Sequence, residues 1–213
     1  MRPVSPYFAL AATTCLAYVM GGLPFGYLIV HLSFGKDVRT MGSGNIGATN
    51  VHRTVGRKAG LIVLVLDIAK GLCAVCIAAS VTHADPLALA LAGLAVMLGH
   101  CYSVFLRFKG GKAVACFIGA FLYLAPLALV VSLLVFILVV AISKYISLGS
   151  IIAALVFPFA VWRIEHPAQP ILLGSILAAL LIIYRHKPNM FRLMNGEESV
   201  FSLKGGSLKG DST

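Results

Sequence analysis

Residues 113–143 read AVACFIGAFLYLAPLALVVSLLVFILVVAIS, without one charged side chain. A helix needs about 20 apolar residues to cross the hydrocarbon of a bilayer, so this run is too long for one ordinary span. Pro126 stands near its middle. It lacks a backbone donor and clashes with the turn before it, and so divides the run in two. Outward from there, further apolar stretches fall at 9–32, 60–82, 87–106, 146–163 and 168–184. With 113–125 and 127–143 these make seven candidate spans. Composition agrees: 60% of the 213 residues are hydrophobic and 11% are Asp, Glu, Lys or Arg, where a soluble domain carries roughly a quarter charged residues. The chain reads as an all-α integral membrane protein of about seven transmembrane helices.

Basic residues number 17 against 7 acidic, a net charge of +10. With seven spans, Lys36, Arg39, Arg53, Arg57, Lys58, Arg107, Lys109, Lys112, Lys144, Arg185, Lys187, Arg192, Lys204 and Lys209 fall on one side, and Arg2 and Arg163 on the other. Loops rich in Lys and Arg stay cytoplasmic, which predicts an N-out, C-in topology. Six spans would put Lys144 and the tail on opposite sides and blur the bias. Nucleic acid is not an expected partner, because no segment sets basic and aromatic residues together on a water-exposed module. Residues 1–198 are expected to form a single polytopic membrane domain. Residues 199–213, rich in Gly, Ser and Lys, are expected to be a disordered C-terminal tail. The first apolar stretch is too long for a signal-peptide core and reads as a retained anchor.

Cys73 and Cys76 have C-x-x-C spacing but lie inside a span, away from any strand–helix redox context. They and Cys15, Cys101 and Cys116 read as small hydrophobes. No metal, disulfide framework or cofactor is expected.

Three polar clusters carry chemistry. The first runs from Gly42 through Ser43, Gly44, Asn45, Gly47, Thr49 and Asn50 to Arg53. Its glycines match G-x-G-x-x-G, but that fingerprint has meaning only between a strand and a helix of a nucleotide-binding sheet. What remains is local physics: glycines let backbone N–H groups approach an anion, and Arg53 can hold phosphate by two parallel hydrogen bonds. The second cluster is Lys109-Gly110-Gly111-Lys112, before a predicted helix. It fails the Walker pattern, since Leu106 replaces glycine and Ala113 follows the lysine, yet it suits an anion at a helix start. The third is Arg185-His186-Lys187-Pro188-Asn189 with Arg192, at the end of the last span. Each has a plain alternative as a connector, a topological lysine or a solvated polar end. Together on one membrane face, they are better explained by one shared phosphate ligand. Within the spans, Asp67 and Lys70 are one turn apart and can neutralise each other. Isolated charges near a helix centre cost about 2.5–3.5 kcal/mol each on insertion scales. Ser147 and Ser150 open the sixth span, as caps or as ligand contacts.

These residues resemble a known family, the bacterial acyl-phosphate-dependent glycerol-3-phosphate acyltransferases, PlsY. Gly42–Asn50 with Arg53 is similar to that family's G-S-G-N-x-G-A-T-N-x-x-R element. Gly99-His100, Phe105-Leu106 and Phe108–Lys112 resemble its second element. Asp67, Lys70, Gly71, Ser147-Leu148, Arg185-His186, Asn189, Arg192-Leu193, Asn195-Gly196 and Glu198 extend the likeness across roughly 20–198. Ala113, Cys116 and Ser103 depart from the usual glycine, threonine and proline. The resemblance implies a seven-helix protein of the bacterial inner membrane, with its site facing the cytoplasm. It implies transfer of a fatty acyl group from acyl phosphate to the 1-hydroxyl of sn-glycerol 3-phosphate, giving lysophosphatidic acid and phosphate. Ser43, Arg53, Lys112, His186 and Asn189 are then the expected catalytic residues. Gly42, Gly44, Asn45, Thr49, Asn50, Gly110, Gly111 and Ser147 are the expected substrate-binding residues. Acyl phosphate, glycerol 3-phosphate and membrane lipid are the expected partners, with no obligate protein partner evident. The competing reading is a transporter for a phosphorylated solute, which predicts a midplane site and inverted repeats; no repeat is visible. A scaffold for anionic lipid would not require Ser43, Asn45, Thr49 and Asn50 together.

Overall fold

A computed structural model describes residues 5–202, which contain helices and loops and no strand. Among them run α1 (Pro6–Gly22), α2 (Phe25–Phe34), α3 (Ala48–Thr54), α4 (Arg57–Val81), α5 (Pro86–Cys101), α6 (Val114–Leu124), α7 (Pro126–Ser143), α8 (Ile146–Ala160), α9 (Gln169–Arg185) and α10 (Lys187–Met194). The break foreseen at Pro126 is present, with α6 ending at Leu124 and α7 starting on the proline. Glu165 Oε1 accepts the free N–H groups of Leu127 and Ala128 at 2.8 and 3.1 Å and so caps α7.

Five segments are long and apolar enough to cross a membrane: Pro6–Phe34, Arg57–Val81, Pro86–Leu106, Pro126–Ser143 and Ile146–Glu165. α9 and α10 add a sixth if taken as one span bent by 51°. α6 is apolar but has only 11 residues, about 16 Å of helix against a hydrocarbon core of about 30 Å. The outer face of α7 is apolar, with Leu134, Ile137, Leu138 and Ile142 exposed. An aqueous surface would not favour that stripe; lipid does. Arg2, Lys204, Lys209 and residues 203–213 of the expected tail lie outside the described residues. Within 199–202, the Phe201 N–H donates to Lys144 O at 2.8 Å.

Helices pack through small residues, as membrane helices do when close approach supplies the contact energy. Gly71 of α4 faces the Cys116 carbonyl of α6, and Gly119 of α6 faces the Ile68 carbonyl of α4. A methyl group at either glycine would collide with backbone. Phe117, Phe121 and Phe157 fill the core beside this crossing, with ring centroids 4.7–4.9 Å apart.

Two polar groups inside the bundle are satisfied by a break between helices. Pro24 separates α1 from α2 and frees carbonyls that would otherwise bond within a helix. Ser103 Oγ donates to Gly22 O at 2.6 Å, and Lys70 Nζ donates to Leu23 O at 2.8 Å. Lys70 Nζ is also 2.8 Å from Asp67 Oδ1, the neutralising pair expected one turn apart. Both side chains are buried. A Lys70→Met variant leaves Asp67 uncompensated and should lose about 3–5 kcal/mol of stability. Thermal unfolding in detergent checks this; an unchanged midpoint would contradict the pairing.

Candidate active site

The loop from Gly42 to Gly47 is built around Asn50, which is buried at the start of α3. Its amide nitrogen donates to Val38 O, Met41 O and Asn45 O at 3.3, 3.0 and 2.8 Å, and its oxygen accepts the Ser43 N–H at 2.9 Å. Asn50 is therefore the organiser of the loop, with no N–H left to donate to an anionic ligand. Gly42 has φ +55° and would strike Asn50 Oδ1 with any side chain. The Asn45 side-chain oxygen accepts the Gly47 N–H at 2.7 Å. This leaves Ser43 and Gly44 on the exposed crest of the loop.

The second cluster folds differently from the expected cradle of free N–H groups. Gly110 N–H donates to Cys101 O at 3.1 Å and Gly111 N–H to His100 O at 3.0 Å. Both donors are committed to the end of α5, so the glycines permit close approach to that helix rather than direct contact with an anion. From the other side, Arg185 Nε donates to Gly111 O at 3.0 Å and Arg185 Nη2 to Gly110 O at 3.1 Å. Its guanidinium also lies 5.0 Å from the Tyr102 ring centroid. Ala113 adopts φ +59°, a left-handed conformation that favours glycine.

The third cluster turns the corner between α9 and α10. Lys112 Nζ donates to Asn189 Oδ1. Glu198 Oε1 accepts from Asn189 Nδ2 and from Ser147 Oγ, both at 2.7 Å, while Arg192 Nε donates to Glu198 Oε2 at 2.7 Å. His186 is buried, and its Nδ1 is 2.8 Å from Ile182 O. A carbonyl only accepts, so Nδ1 carries the proton and Nε2 holds the lone pair of the neutral ring.

A cavity of about 310 Å³ opens between these elements, lined by Ser43, Gly44, Asn45, Lys112, Tyr184, Arg185, Lys187, Pro188, Asn189 and Arg192. Of the residues singled out from sequence, Ser43, Gly44, Asn45, Lys112 and Asn189 line it. Gly42, Thr49, Asn50, Arg53, Gly110, Gly111, Ser147 and His186 stand behind or beside it. Arg185, Lys187 and Arg192, named from sequence only as members of the third cluster and not as catalytic or binding residues, line it as well. Glu198, noted only within the family likeness, was missed as the carboxylate that joins Ser147, Asn189 and Arg192. Four cations reach the cavity and one carboxylate borders it. Burial foremost, then the Arg192 charge, pulls the Lys112 ammonium down to about 8; Glu198 opposes this, and Arg185 and Arg53 add to it.

This imbalance sets a pH dependence. Charged Lys112 is lost as pH rises through about 8, so any function needing that charge should fall above that pH in the free protein. A bound anion favours the charged form and should move the limb to higher pH. The sign for stability is opposite: the folded state releases its proton before the unfolded chain does, so stability rises from about pH 8 upward. Phosphate binding followed by calorimetry from pH 6 to about 10 checks both, over the range where lysine titrates.

A cation-rich cavity at one end of a bundle of apolar helices defines a class: a polytopic membrane protein with a surface cavity whose charge suits an anionic, phosphate-like ligand. The chain belongs to the glycerol-3-phosphate acyltransferase family, whose model matches residues 11–196. A glycerol-3-phosphate acyltransferase from Trichlorobacter lovleyi is 51% identical over 185 residues, covering 87% of this chain and 94% of that protein. One from Geobacter sulfurreducens is 47% identical over 189 residues, covering 88% and 95%. The structure is also similar to the crystal structure of PlsY (YgiH), an integral membrane glycerol 3-phosphate acyltransferase, in its glycerol 3-phosphate form. The TM-score is 0.86 at 38% identity, over 91% of this chain and 96% of that one. Its lysophosphatidic acid form matches with a TM-score of 0.83.

Proposed function

We propose that this chain transfers a fatty acyl group from acyl phosphate to the 1-hydroxyl of sn-glycerol 3-phosphate, releasing lysophosphatidic acid and inorganic phosphate. The observation that carries this reading is the cavity where Ser43, Lys112, Arg185, Lys187 and Arg192 meet at the ends of lipid-facing helices. Both substrates bring a phosphate to such a site, while the acyl chain can lie along the apolar bundle. Loops flanking the pairs α4–α5, α6–α7 and α8–α9 all reach this end of the molecule. That supports seven crossings, N-out and C-in, with α6 as a short one and the site at the cytoplasmic face of a bacterial inner membrane.

In this reading Lys112, Arg185 and Arg192 hold phosphate oxygens, and Ser43 orients the substrate. As the hydroxyl oxygen attacks the acyl carbonyl, negative charge develops on the carbonyl oxygen, and Lys112 stabilises it. The carbon–oxygen bond to phosphate then breaks. Phosphate is already a good leaving group, so no enzymic nucleophile is required. The hydroxyl proton passes to a substrate phosphate, with His186 Nε2 as the alternative acceptor. Arg53 has no hydrogen-bond or ion-pair partner among the described residues, and its charge reaches Lys112. An Arg53→Ala variant should lose about tenfold to a hundredfold in kcat/KM, the size of one charge-assisted hydrogen bond. Near-normal turnover would remove Arg53 from the site.

The direct test is phosphate release by purified protein given acyl phosphate, with and without glycerol 3-phosphate. Release that needs both substrates, and fails with acyl-CoA, is the expected result. The buried Asp67–Lys70 pair is the one feature that favours a transporter. Flux of glycerol 3-phosphate into vesicles without any acyl donor would establish that reading instead.

A further inference from the structure

Below the Gly110–Lys112 loop lies a buried cluster that the transfer chemistry leaves unused. Lys70 Nζ donates to Leu23 O at 2.8 Å and to His100 Nδ1 at 3.1 Å, and it sits 2.8 Å from Asp67 Oδ1. One ammonium thus ties together α4, the break between α1 and α2, and the end of α5. Lysine suits this place because three donors leave a single nitrogen, in an interior that offers little water to complete the set. The Cys116 thiol completes a trio with Asp67 and His100 whose ligand atoms lie within 4.8 Å of one another, a donor set that could hold a metal ion. The Lys70 ammonium already supplies the cation between Asp67 and His100, so the cluster reads as a strut and not as a metal centre.

What the strut supports is the loop. An ammonium only donates, so His100 Nδ1 accepts from it, and this fixes the orientation of the ring. The ring stands against Gly111, where an added methyl would collide with Nε2. The His100 carbonyl receives the Gly111 N–H at 3.0 Å. Lys112 is the next residue. We infer that Lys70 is a positioning residue for Lys112, acting through the His100 ring and the Gly110–Gly111 turn to hold the Lys112 ammonium at the cavity. Arg185 clamps the same turn from outside through the Gly110 and Gly111 carbonyls. The loop is therefore held between a cation within the bundle and a cation at its end. The inference rests on the acyl-transfer reading for its kinetic consequence but not for its geometry.

The test uses the full-length protein in detergent or lipid with the paired substitution Asp67→Asn and Lys70→Met, which removes both charges together. The acyl-transfer reading predicts a kcat lower by tenfold or more and a KM for glycerol 3-phosphate within about threefold, because Arg185, Lys187 and Arg192 still bind phosphate. A second readout needs no activity: the rate at which acetic anhydride acetylates Lys112, against exposed Lys109, at a pH near about 8. Displacing the loop should bring the Lys112 rate several-fold closer to that of Lys109. Unchanged kcat, or unchanged Lys112 labelling whatever happens to kcat, overturns the inference. If the parent protein shows no turnover, the acyl-transfer reading fails, and the labelling result alone decides the positioning role. If the paired variant does not fold, Gly111→Ala and His100→Ala decide instead. Gly111→Ala drives a methyl into the ring and should lower kcat, and adding His100→Ala makes room and should recover at least fivefold of that loss. Purely multiplicative effects would mean that ring and loop are not coupled.

Discussion

A Lys112→Ala variant should fold normally and turn over about a hundredfold or more slowly than the parent, the loss seen when one donor aimed at developing charge is removed. Three observations make this the largest effect expected of any cation lining the cavity. Lys112 lines the cavity, its neighbours are spaced by a pinned turn, and Asn189 orients its ammonium. Its pKa of about 8 also shows a charge held at some expense, foremost by burial and then by the Arg192 charge. Such an arrangement is inefficient for stability alone. Alanine there should therefore leave the melting temperature unchanged or slightly raised while turnover collapses. A Lys112→Arg variant keeps the charge but not the compact head, and should recover only part of the rate. The measurement is kcat with saturating glycerol 3-phosphate beside thermal unfolding of the same preparation. Equal losses of rate and stability would make Lys112 a structural residue.

The legible and illegible parts of this molecule divide along a physical line. Apolar stretches and the break at Pro126 are local properties, since hydrocarbon thickness and the missing proline donor act on contiguous residues. Ser43, Lys112 and Asn189 could be singled out because their chemistry suits an anion wherever the chain sets them, and all three line the cavity. Partners distant in sequence were not. Asn50 has the same donors whether it contacts a ligand or the carbonyls of Val38, Met41 and Asn45, and only folding decides between these. Gly110 and Gly111 could offer free N–H groups to phosphate, but the end of α5 takes them. The pairing of Asp67 with Lys70 followed from a spacing of one turn. The third member, His100, comes from another helix and gives the pair a direction that spacing could not supply.

Glu198→Ala should be at least as damaging as loss of Lys112, although Glu198 carries the wrong charge to bind phosphate. Its side chain is 7% exposed, and its two oxygens accept from Ser147, Asn189 and Arg192. Without that acceptor the Asn189 amide is free to turn, and Lys112 loses the oriented oxygen it donates to. Arg192 loses its partner at the same time. Each half-buried donor left unsatisfied costs about 1–3 kcal/mol, so loss of two such contacts at the transition state corresponds to roughly a thousandfold in kcat/KM. Two titrations separate this from a general loss of folding. Burial pushes the Glu198 carboxyl up, but the bonds from Ser147, Asn189 and Arg192 outweigh it and hold the group below its ordinary 4.5. Its contribution to stability is thus fully present above pH 4.5 and is lost as pH falls through the lower folded-state value. The alanine variant should lack that acid-sensitive component. Glu198 also raises the Lys112 pKa, so its removal should move the alkaline limb below about 8. A Glu198→Ala protein that turns over within threefold of the parent, with its alkaline limb unmoved, would detach Glu198 from the site and leave Lys112 oriented by Asn189 alone.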